Sequence, residues 1–154
     1  MSLVMDARPI LCTLARLLHE HGLEAVLIDN AAAFDLDFLF RKTPANLRKL
    51  KAIAKELEAV LMRPYYPVSG LFRISRDGDL LQVDFMGRID GVRSMEGVRS
   101  RATRLDLDGY PLLVATLADI VRSKRAAGRP QDLAALAILE KALHAEKKAE
   151  TDEA

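Results

Sequence analysis

Apolar and acidic residues alternate over Phe34–Phe40, whose sequence is FDLDFLF. The large apolar residues recur at every second position, which predicts a β-strand with one apolar face. Asp35 and Asp37 then share the opposite face, with their carboxylates about 7 Å apart along the strand. Two acids placed in this way repel each other unless a positive charge lies between them, and a divalent cation is one candidate. The alternative is a sheet whose solvated face happens to carry two acids.

Hydrophobic periodicity predicts further helices and strands along the chain. Repeats of three to four residues predict helices at 7–21, 44–62, 116–126 and from Pro130 onward, and apolar runs or alternation predict strands at 24–29, 70–76, 79–86, 103–108 and 111–115. Thr43 and Thr116 are placed as helix caps. We therefore predict an α+β fold with one mixed sheet, helices packed mainly on one of its faces, and a helical C-terminal region.

Length and composition indicate one folded domain. The chain has 154 residues, of which 50% are hydrophobic and 29% charged, and its formal net charge is +1. We predict a single domain over residues 1–146 and a polar, frayed tail at 147–154. The balanced charge argues against a polybasic nucleic-acid arm, and no apolar run is long enough to span a bilayer. The single cysteine, Cys12, has no disulfide partner within the chain, which favours a reducing, cytoplasmic compartment.

A third aspartate, Asp84, follows on a later strand with the sequence LLQVDFM. If that strand lies beside the strand of Asp35 and Asp37, the three carboxylates converge. Such a site offers oxygen ligands only, which suits Mg²⁺ or Mn²⁺ and is poor for zinc. Cations held in this way can activate a hydroxyl and neutralise charge on a transferring phosphoryl group.

The order of these pieces resembles the nucleotidyltransferase superfamily, whose members share a polymerase-β-like palm. The resemblance rests on the strand EAVLIDNAAA, on FDLDFLF followed by the helix RKTPANLRKLKAIAKEL, on LLQVDFM, and on the C-terminal segment SKRAAGRPQDL. It covers roughly residues 17–143 and is similar to the small bacterial branch described as nucleotidyltransferase-like or related to abortive-infection toxins.

This resemblance implies metal-dependent transfer of a nucleotidyl group from a nucleoside triphosphate to a hydroxyl on a protein, an RNA or a small molecule. Asp35 and Asp37 would hold Mg²⁺ or Mn²⁺, and Asp84 would bind one of the ions and help to activate the acceptor hydroxyl. Lys124 and Arg129 would contact the triphosphate. The alternative for these two cations is a solvated helix end, where positive charge is stabilised by the helix dipole.

One position departs from the family pattern. The family holds nucleotide phosphates with a glycine-containing turn, because backbone amides approach the phosphates closely there. This chain has Asp29-Asn30 at that place, and only Ala31–Phe34 separate it from Asp35. Asn30 would contact the phosphates, whereas Asp29 would repel them. Either the phosphate-binding element is missing, or the sequence lacks a mobile segment at this point.

Two other functions fit the same sequence. The first is a non-catalytic binding or antitoxin-like regulatory protein that retains the fold and acts through a protein partner. A collapsed pocket, or an aspartate paired with Arg73 or Arg88, would favour it, whereas three carboxylates within metal-coordinating reach beside an open pocket would favour the enzyme. The second is an RNA-binding module that uses the arginines between residues 88 and 104, with an affinity that falls steeply with salt.

Overall fold

In a computed structural model of the chain, residues 8–32, 34–63, 70–89, 91 and 95–153 are described. The elements follow in the order α1 (Arg8–Glu20), β1 (Ala25–Ala32), β2 (Asp35–Phe40), α2 (Pro44–Glu56), β3 (Val60–Met62), β4 (Leu71–Arg76), β5 (Leu81–Met86), α3 (Met95–Arg101), β6 (Thr103–Leu107), β7 (Tyr110–Val114), α4 (Leu117–Ala127) and α5 (Pro130–Glu153).

The strands form one mixed sheet in the order β3-β4-β5-β2-β1-β7-β6. The central strand β2 is antiparallel to β1 and parallel to β5. Strand β7 pairs with β1 in parallel, and the outer pairs β3–β4, β4–β5 and β6–β7 are antiparallel. The predicted α+β class with a mixed sheet is confirmed. Strand β2 with Asp35 and Asp37 lies in the middle of the sheet, between β5 with Asp84 and β1 with Asp29.

The main core fills the face of the sheet that α1 and α2 cover. Leu36, Phe38 and Phe40 of β2 alternate along the strand toward this face, and their side chains are fully buried. Phe38 stacks on Phe85 of β5, with ring centroids 5.2 Å apart. The two helices add the buried residues Leu14, Leu17, Leu18, Leu50, Ile53 and Ala54. Burial of each large side chain stabilises the fold by about 1.5–3 kcal/mol, which fixes both helices on this face.

The opposite face of the sheet carries a smaller core. Val26 and Leu39 are buried there against Val98 of α3, and the partly buried Ile120 of α4 packs on the same cluster. Asp37 of β2 faces this side, because it alternates with Phe38. The helices α3 and α4 cover only part of this face, so the middle of the sheet borders an open cavity there.

Helix α2 is shorter than its apolar periodicity predicts. The sequence predicts a helix to Met62, but α2 ends at Glu56, and Glu58 adopts a left-handed conformation with φ 54°. Residues 60–62 instead form strand β3, paired with β4 at the edge of the sheet. No glycine or proline marks the end, and Val60 and Leu61 continue the helical spacing, so periodicity alone could not locate it.

Both predicted helix caps are present. The Thr43 hydroxyl accepts a hydrogen bond from the Asn46 backbone N–H at 3.1 Å, and the Thr116 hydroxyl accepts one from the Asp119 N–H at 3.1 Å. At the other end of α4, Gly128 caps the helix with φ 62°, a conformation that glycine adopts without steric cost.

The C-terminal part of the chain is helical. Helix α5 continues through Glu153, so residues 147–153, predicted to fray, are helical in the structure. The less regular segment before β6 contains the short helix α3. Within the described residues, no helix is both long and apolar enough to cross a membrane.

Candidate functional site

The pairing of β2 with β5 brings two of the predicted aspartates together. Asp37 and Asp84 are direct neighbours on these parallel strands, which lie about 4.8 Å apart. Asp35 lies beside Gln82, one side-chain repeat away. The Gln82 amide nitrogen lies 3.4 Å from Asp35 Oδ1 and 3.5 Å from Asp84 Oδ2, between the two carboxylates. The predicted neighbourhood of the three aspartates on one face of adjacent strands is therefore present.

A register shift in β1 adds a fourth carboxylate. Leu27 pairs with Phe38 and Asp29 pairs with Asp37, so Ile28 is an extra residue in β1. Without this bulge, Asp29 would follow Leu27 toward the main core. With it, Asp29 faces the same side of the sheet as Asp37. The sequence pattern does not identify Asp29 as a member of the cluster. The signal in the sequence was the alternation of β1: Ala25 and Leu27 face the main core, so an unshifted strand would direct the Asp29 carboxylate into that core.

The extent of β1 shows the backbone conformation at Asp29 and Asn30. Strand β1 continues through both residues to Ala32, and its backbone is paired with β2 up to Asp35. Asp29 and Asn30 therefore lie in a strand and do not form a turn. The side chain of Asn30, predicted to contact nucleotide phosphates, lies outside the part of the chain that the structure describes.

Asp37 has the most perturbed acidity of the cluster. Burial, followed by repulsion from Asp84, Asp29 and Asp35, raises the pKa of Asp37 from 3.8 to about 7, and the nearby positive charge of Lys124 offsets part of this. The Asp37 carboxyl thus exchanges its proton near neutral pH. A carboxylate held among other carboxylates at a cavity wall is typical of sites that bind cations or transfer protons.

Lys124 reaches across from α4 to the acidic cluster. Its Nζ lies 2.9 Å from Asp29 Oδ2 and 3.5 Å from Asp132 Oδ1. Burial alone lowers the pKa of the Lys124 ammonium, but its hydrogen bonds and attraction to Asp29 and Asp132 outweigh this effect and raise the pKa overall. Lys124 is therefore charged and already neutralised by carboxylates of this chain.

Arg129 and Asp132 form a second ion pair at the start of α5. Asp132 is 1% exposed and accepts hydrogen bonds from Arg129 Nε at 2.5 Å, Nη2 at 3.2 Å and the backbone N–H at 3.3 Å. These bonds, together with the attraction of Arg129 and Lys124, lower the pKa of Asp132. Asp132 lies in the first turn of α5, where its contact with Lys124 connects this helix to α4.

Asp84 is paired with an arginine on the next strand. Arg73 Nε lies 2.8 Å from Asp84 Oδ1, and Arg73 Nη2 lies 3.1 Å from Oδ2. The two residues are direct partners in the antiparallel β4–β5 ladder, and Asp84 is 5% exposed. This is the two-bond fork geometry in which a guanidinium binds a carboxylate most strongly.

These residues border one cavity of about 440 Å³, which we call the central cavity. Its floor is the sheet, where Asp29, Asp37 and Asp84 lie, and its walls include Lys124 and Ser123 of α4. Arg73, Arg88, Arg129 and Asp132 also line it. A neighbouring cavity of about 580 Å³ shares Asp29, Lys124, Arg129 and Asp132 with the central cavity, and most of its other lining residues are aliphatic, among them Val114 and Leu139. The Asp29–Lys124 pair therefore lies in the wall between a polar and an apolar cavity.

The donor chemistry of the cluster fits a hard divalent cation. Its ligands would be carboxylate oxygens. The pKa of Asp37 is raised first by burial and then by repulsion from neighbouring carboxylates, and a bound cation would relieve the repulsion. Over the described ranges, however, no three acidic, histidine or cysteine side chains are placed closely enough to form a ready metal site. Both oxygens of Asp84 accept hydrogen bonds from Arg73, which would compete with a cation there.

The structure meets part of each criterion set out above. The cavity is open beside the carboxylates, as expected for the enzyme, and Asp84 is paired with Arg73, as expected for the binding protein. In the arginine-rich segment, Arg99 binds Glu24 and Arg101 binds Asp119, so both hold α3 to neighbouring elements. RNA binding by this segment stays a prediction.

The chain is similar to several solved structures, including the following two. One is an antigenic nucleotidyltransferase-like protein from Paracoccidioides brasiliensis, at 11% identity and a TM-score of 0.51, with 89% of this chain and 77% of that protein covered. The other is the antibiotic-resistance factor ANT(2'')-Ia, at 16% identity and a TM-score of 0.52, with 96% and 95% covered. No family model and no curated protein matches the sequence. At these identities the similarity establishes the fold alone, which is nucleotidyltransferase-like, as the sequence predicts.

Proposed function

We propose that this chain binds a nucleoside triphosphate with Mg²⁺ or Mn²⁺ in the central cavity and transfers the nucleotidyl group to a hydroxyl acceptor. The observation that carries the proposal is Asp37, which is surrounded by Asp29, Asp35 and Asp84 at the floor of the cavity and has a pKa of about 7. A cluster of this kind is costly for a purely structural site. It is relieved when positive charge arrives with a ligand.

In this reaction the acceptor oxygen forms a bond to the α-phosphorus, and the bond from that phosphorus to the bridging oxygen breaks, releasing pyrophosphate. Asp35 and Asp37 would hold the cation, and Asp84 would take part once Arg73 releases its oxygens. A divalent cation bound there supplies positive charge against the phosphoryl group. Asp84 would also help to activate the acceptor hydroxyl by accepting its proton.

Lys124 supports the proposal from the opposite wall. Its ammonium lies between Asp29 and Asp132, so a triphosphate entering the cavity exchanges one anionic partner of Lys124 for another. Arg129 lines the same wall and is mostly exposed, which places it to contact the outer phosphates. The apolar neighbouring cavity offers room for a base or for the acceptor, which is a protein, an RNA or a small molecule. The narrower assignment to the small bacterial, toxin-related branch is part of this proposal and rests on the segment SKRAAGRPQDL.

Titration calorimetry with each nucleoside triphosphate in Mn²⁺ tests the proposal. The wild-type chain is expected to bind at least one of them in a saturable, metal-dependent manner, and Asp35→Asn/Asp37→Asn is expected to lose this binding. The matched control is Asp77→Asn/Asp106→Asn, which makes the same change of charge at two exposed carboxylates away from the cavity. Nucleotides labelled in the α-phosphate then identify the acceptor by transfer of the label.

The result that would contradict the proposal is the absence of heat with all four nucleotides from protein that circular dichroism shows to be folded. A non-catalytic binding protein would then be the better description, and its partner would be sought by capture on the immobilised chain. Equal binding by the cavity variant and by the control would place the nucleotide elsewhere on the surface.

A further inference from the structure

Asp84 and Arg73 are held together by the architecture of the sheet. They are direct partners on adjacent antiparallel strands, so their side chains leave the sheet on the same face at the same height. Each oxygen of Asp84 accepts a hydrogen bond from Arg73, at 2.8 Å and 3.1 Å. Asp84 is nearly inaccessible, whereas a quarter of the Arg73 side chain is exposed. The Arg73 guanidinium therefore reaches a buried carboxylate from the side of the central cavity.

Arg73 consequently occupies the Asp84 oxygens that an incoming metal ion would use. Asp37 is the neighbour of Asp84 on one side and Arg73 is its neighbour on the other. If Asp37 and Asp84 together held a divalent ion, the ion would compete with the guanidinium for at least one Asp84 oxygen. Removal of Arg73 without replacement would leave a buried, unpaired carboxylate, which is strongly unfavourable. Exchange of Arg73 for a metal ion keeps the charge of Asp84 compensated throughout.

We infer that Arg73 is a built-in competitor of the divalent cation: it holds Asp84 in the metal-free protein and gives it up when the ion binds. The inference rests on the proposed function, because it concerns the same cation site. It explains why the acidic cluster lacks a ready ligand set while its side chains still line an open cavity. The Arg73–Asp84 ion pair is thus compatible with a site that binds a divalent cation.

Titration with Mn²⁺ alone, without nucleotide, tests this inference by calorimetry. Arg73→Gln is expected to bind Mn²⁺ roughly tenfold more tightly than the wild type, because the ion no longer competes with a guanidinium. Arg73→Lys is expected to fall between the two, since an ammonium keeps the charge but lacks the fork that binds both oxygens. The matched control is Arg76→Gln on the same strand, whose side chain pairs with Asp79.

Thermal unfolding covers the case in which Arg73→Gln folds poorly. The variant is expected to have a lower melting temperature than the wild type without metal, and to gain more from Mn²⁺ than the wild type gains. Arg73→Gln/Asp84→Asn is expected to recover melting temperature without metal and to lose the extra gain with Mn²⁺. These melting temperatures test the inference even if Arg73→Gln is too unstable for calorimetry. Arg73→Lys, which keeps a positive charge beside Asp84, remains available for the calorimetric titration.

The outcomes separate this inference from the proposed function. If the wild type binds Mn²⁺ and neither Arg73 variant binds it more tightly, Arg73 is not a competitor, while the cation site itself stands. If no variant binds Mn²⁺ at all, the cation site and the inference both fall. Tighter binding by Arg76→Gln to the same extent would show a general effect of net charge and would overturn the inference.

Discussion

Asp29 lies directly opposite Asp37 in the ladder between β1 and β2, because the extra residue Ile28 shifts the register of β1 by one position. The bulge turns a carboxylate away from the apolar core and toward the cavity. It also places Asp29 between Asp37 and Lys124. Burial and Asp84 contribute most to the raised pKa of Asp37, and Asp29 adds a further negative charge that is itself neutralised by Lys124 of α4. A single backbone irregularity therefore connects the acidic cluster of the sheet to the C-terminal helices.

The raised pKa of Asp37 predicts how stability changes with pH. The pKa is about 7 in the folded protein and 3.8 in a model peptide, so the folded state binds the proton more tightly than the unfolded state. The free energy of unfolding contributed by Asp37 is therefore highest below pH 4 and falls as pH rises toward and through 7. Asp37→Asn removes this loss. After allowance for the partial exposure of Asp37, we expect the variant to be more stable than the wild type by about 2 kcal/mol at pH 8.

Urea unfolding of both proteins at several pH values between 5 and 8 measures this difference. The gain of the variant should shrink as pH falls, since Asp37 is then protonated in the wild type. Asp106→Asn, a change at an exposed carboxylate on β6, should show no comparable gain. A gain that does not vary with pH would contradict the assignment of the raised pKa to Asp37.

The ion pairs of Asp132 with Arg129 and Lys124 are expected to stabilise the start of α5. Asp132→Asn weakens the hydrogen bonds from Arg129 and removes one anionic partner of Lys124, so the free energy of unfolding should fall by about 2 kcal/mol. Hydrogen exchange followed by mass spectrometry should show the largest loss of protection in α5. Glu146→Gln, an exposed change on the same helix, should leave both quantities within error. Unchanged protection of α5 in Asp132→Asn would show that its contacts with α4 suffice.

The position of Gly91 against α4 leaves no room for a side chain. Its φ is +74°, and a Cβ there would lie 2.6 Å from the Ala126 Cβ and 2.7 Å from the Arg122 carbonyl oxygen. Gly91→Ala should therefore lower the free energy of unfolding by about 3 kcal/mol, through strain and a clash with α4. Gly78→Ala is the matched control, because a Cβ there meets nothing within 4 Å, and it should change stability by less than about 0.5 kcal/mol. Chemical denaturation of the two variants compares them directly, and equal effects would refute the packing of Gly91 on α4.

The cap of α2 predicts a smaller effect that isolates one hydrogen bond. Thr43→Ala leaves the Asn46 N–H without its acceptor and should lower stability by about 1 kcal/mol. Thr43→Ser retains a hydroxyl in the same place and should restore most of this loss. Thermal unfolding with circular dichroism detection measures both variants. A Ser variant as unstable as the Ala variant would attribute the effect to the lost methyl packing of Thr43.

The local elements of this protein were readable from its sequence. Alternation located β2 and β5 with their aspartates, and the Thr43 and Thr116 caps located the starts of α2 and α4, because these signals depend only on neighbouring residues. The end of α2 was not readable. Residues 60–62 keep helical spacing but join the edge of the sheet, where backbone hydrogen bonds to β4 are available only in the folded chain.

The site itself was decided partly by sequence and partly by tertiary structure. Sequence alone placed Asp35, Asp37 and Asp84 on strand faces and predicted that they would converge if the two strands were neighbours. Only the folded sheet showed that a bulge turns Asp29 into the same cluster, and that Arg73 and Lys124 neutralise its two flanks. Register shifts and ion pairs between residues as distant as Asp29 and Lys124 depend on which strands become neighbours. That choice is made by burial of the whole core, and no local pattern in the chain records it.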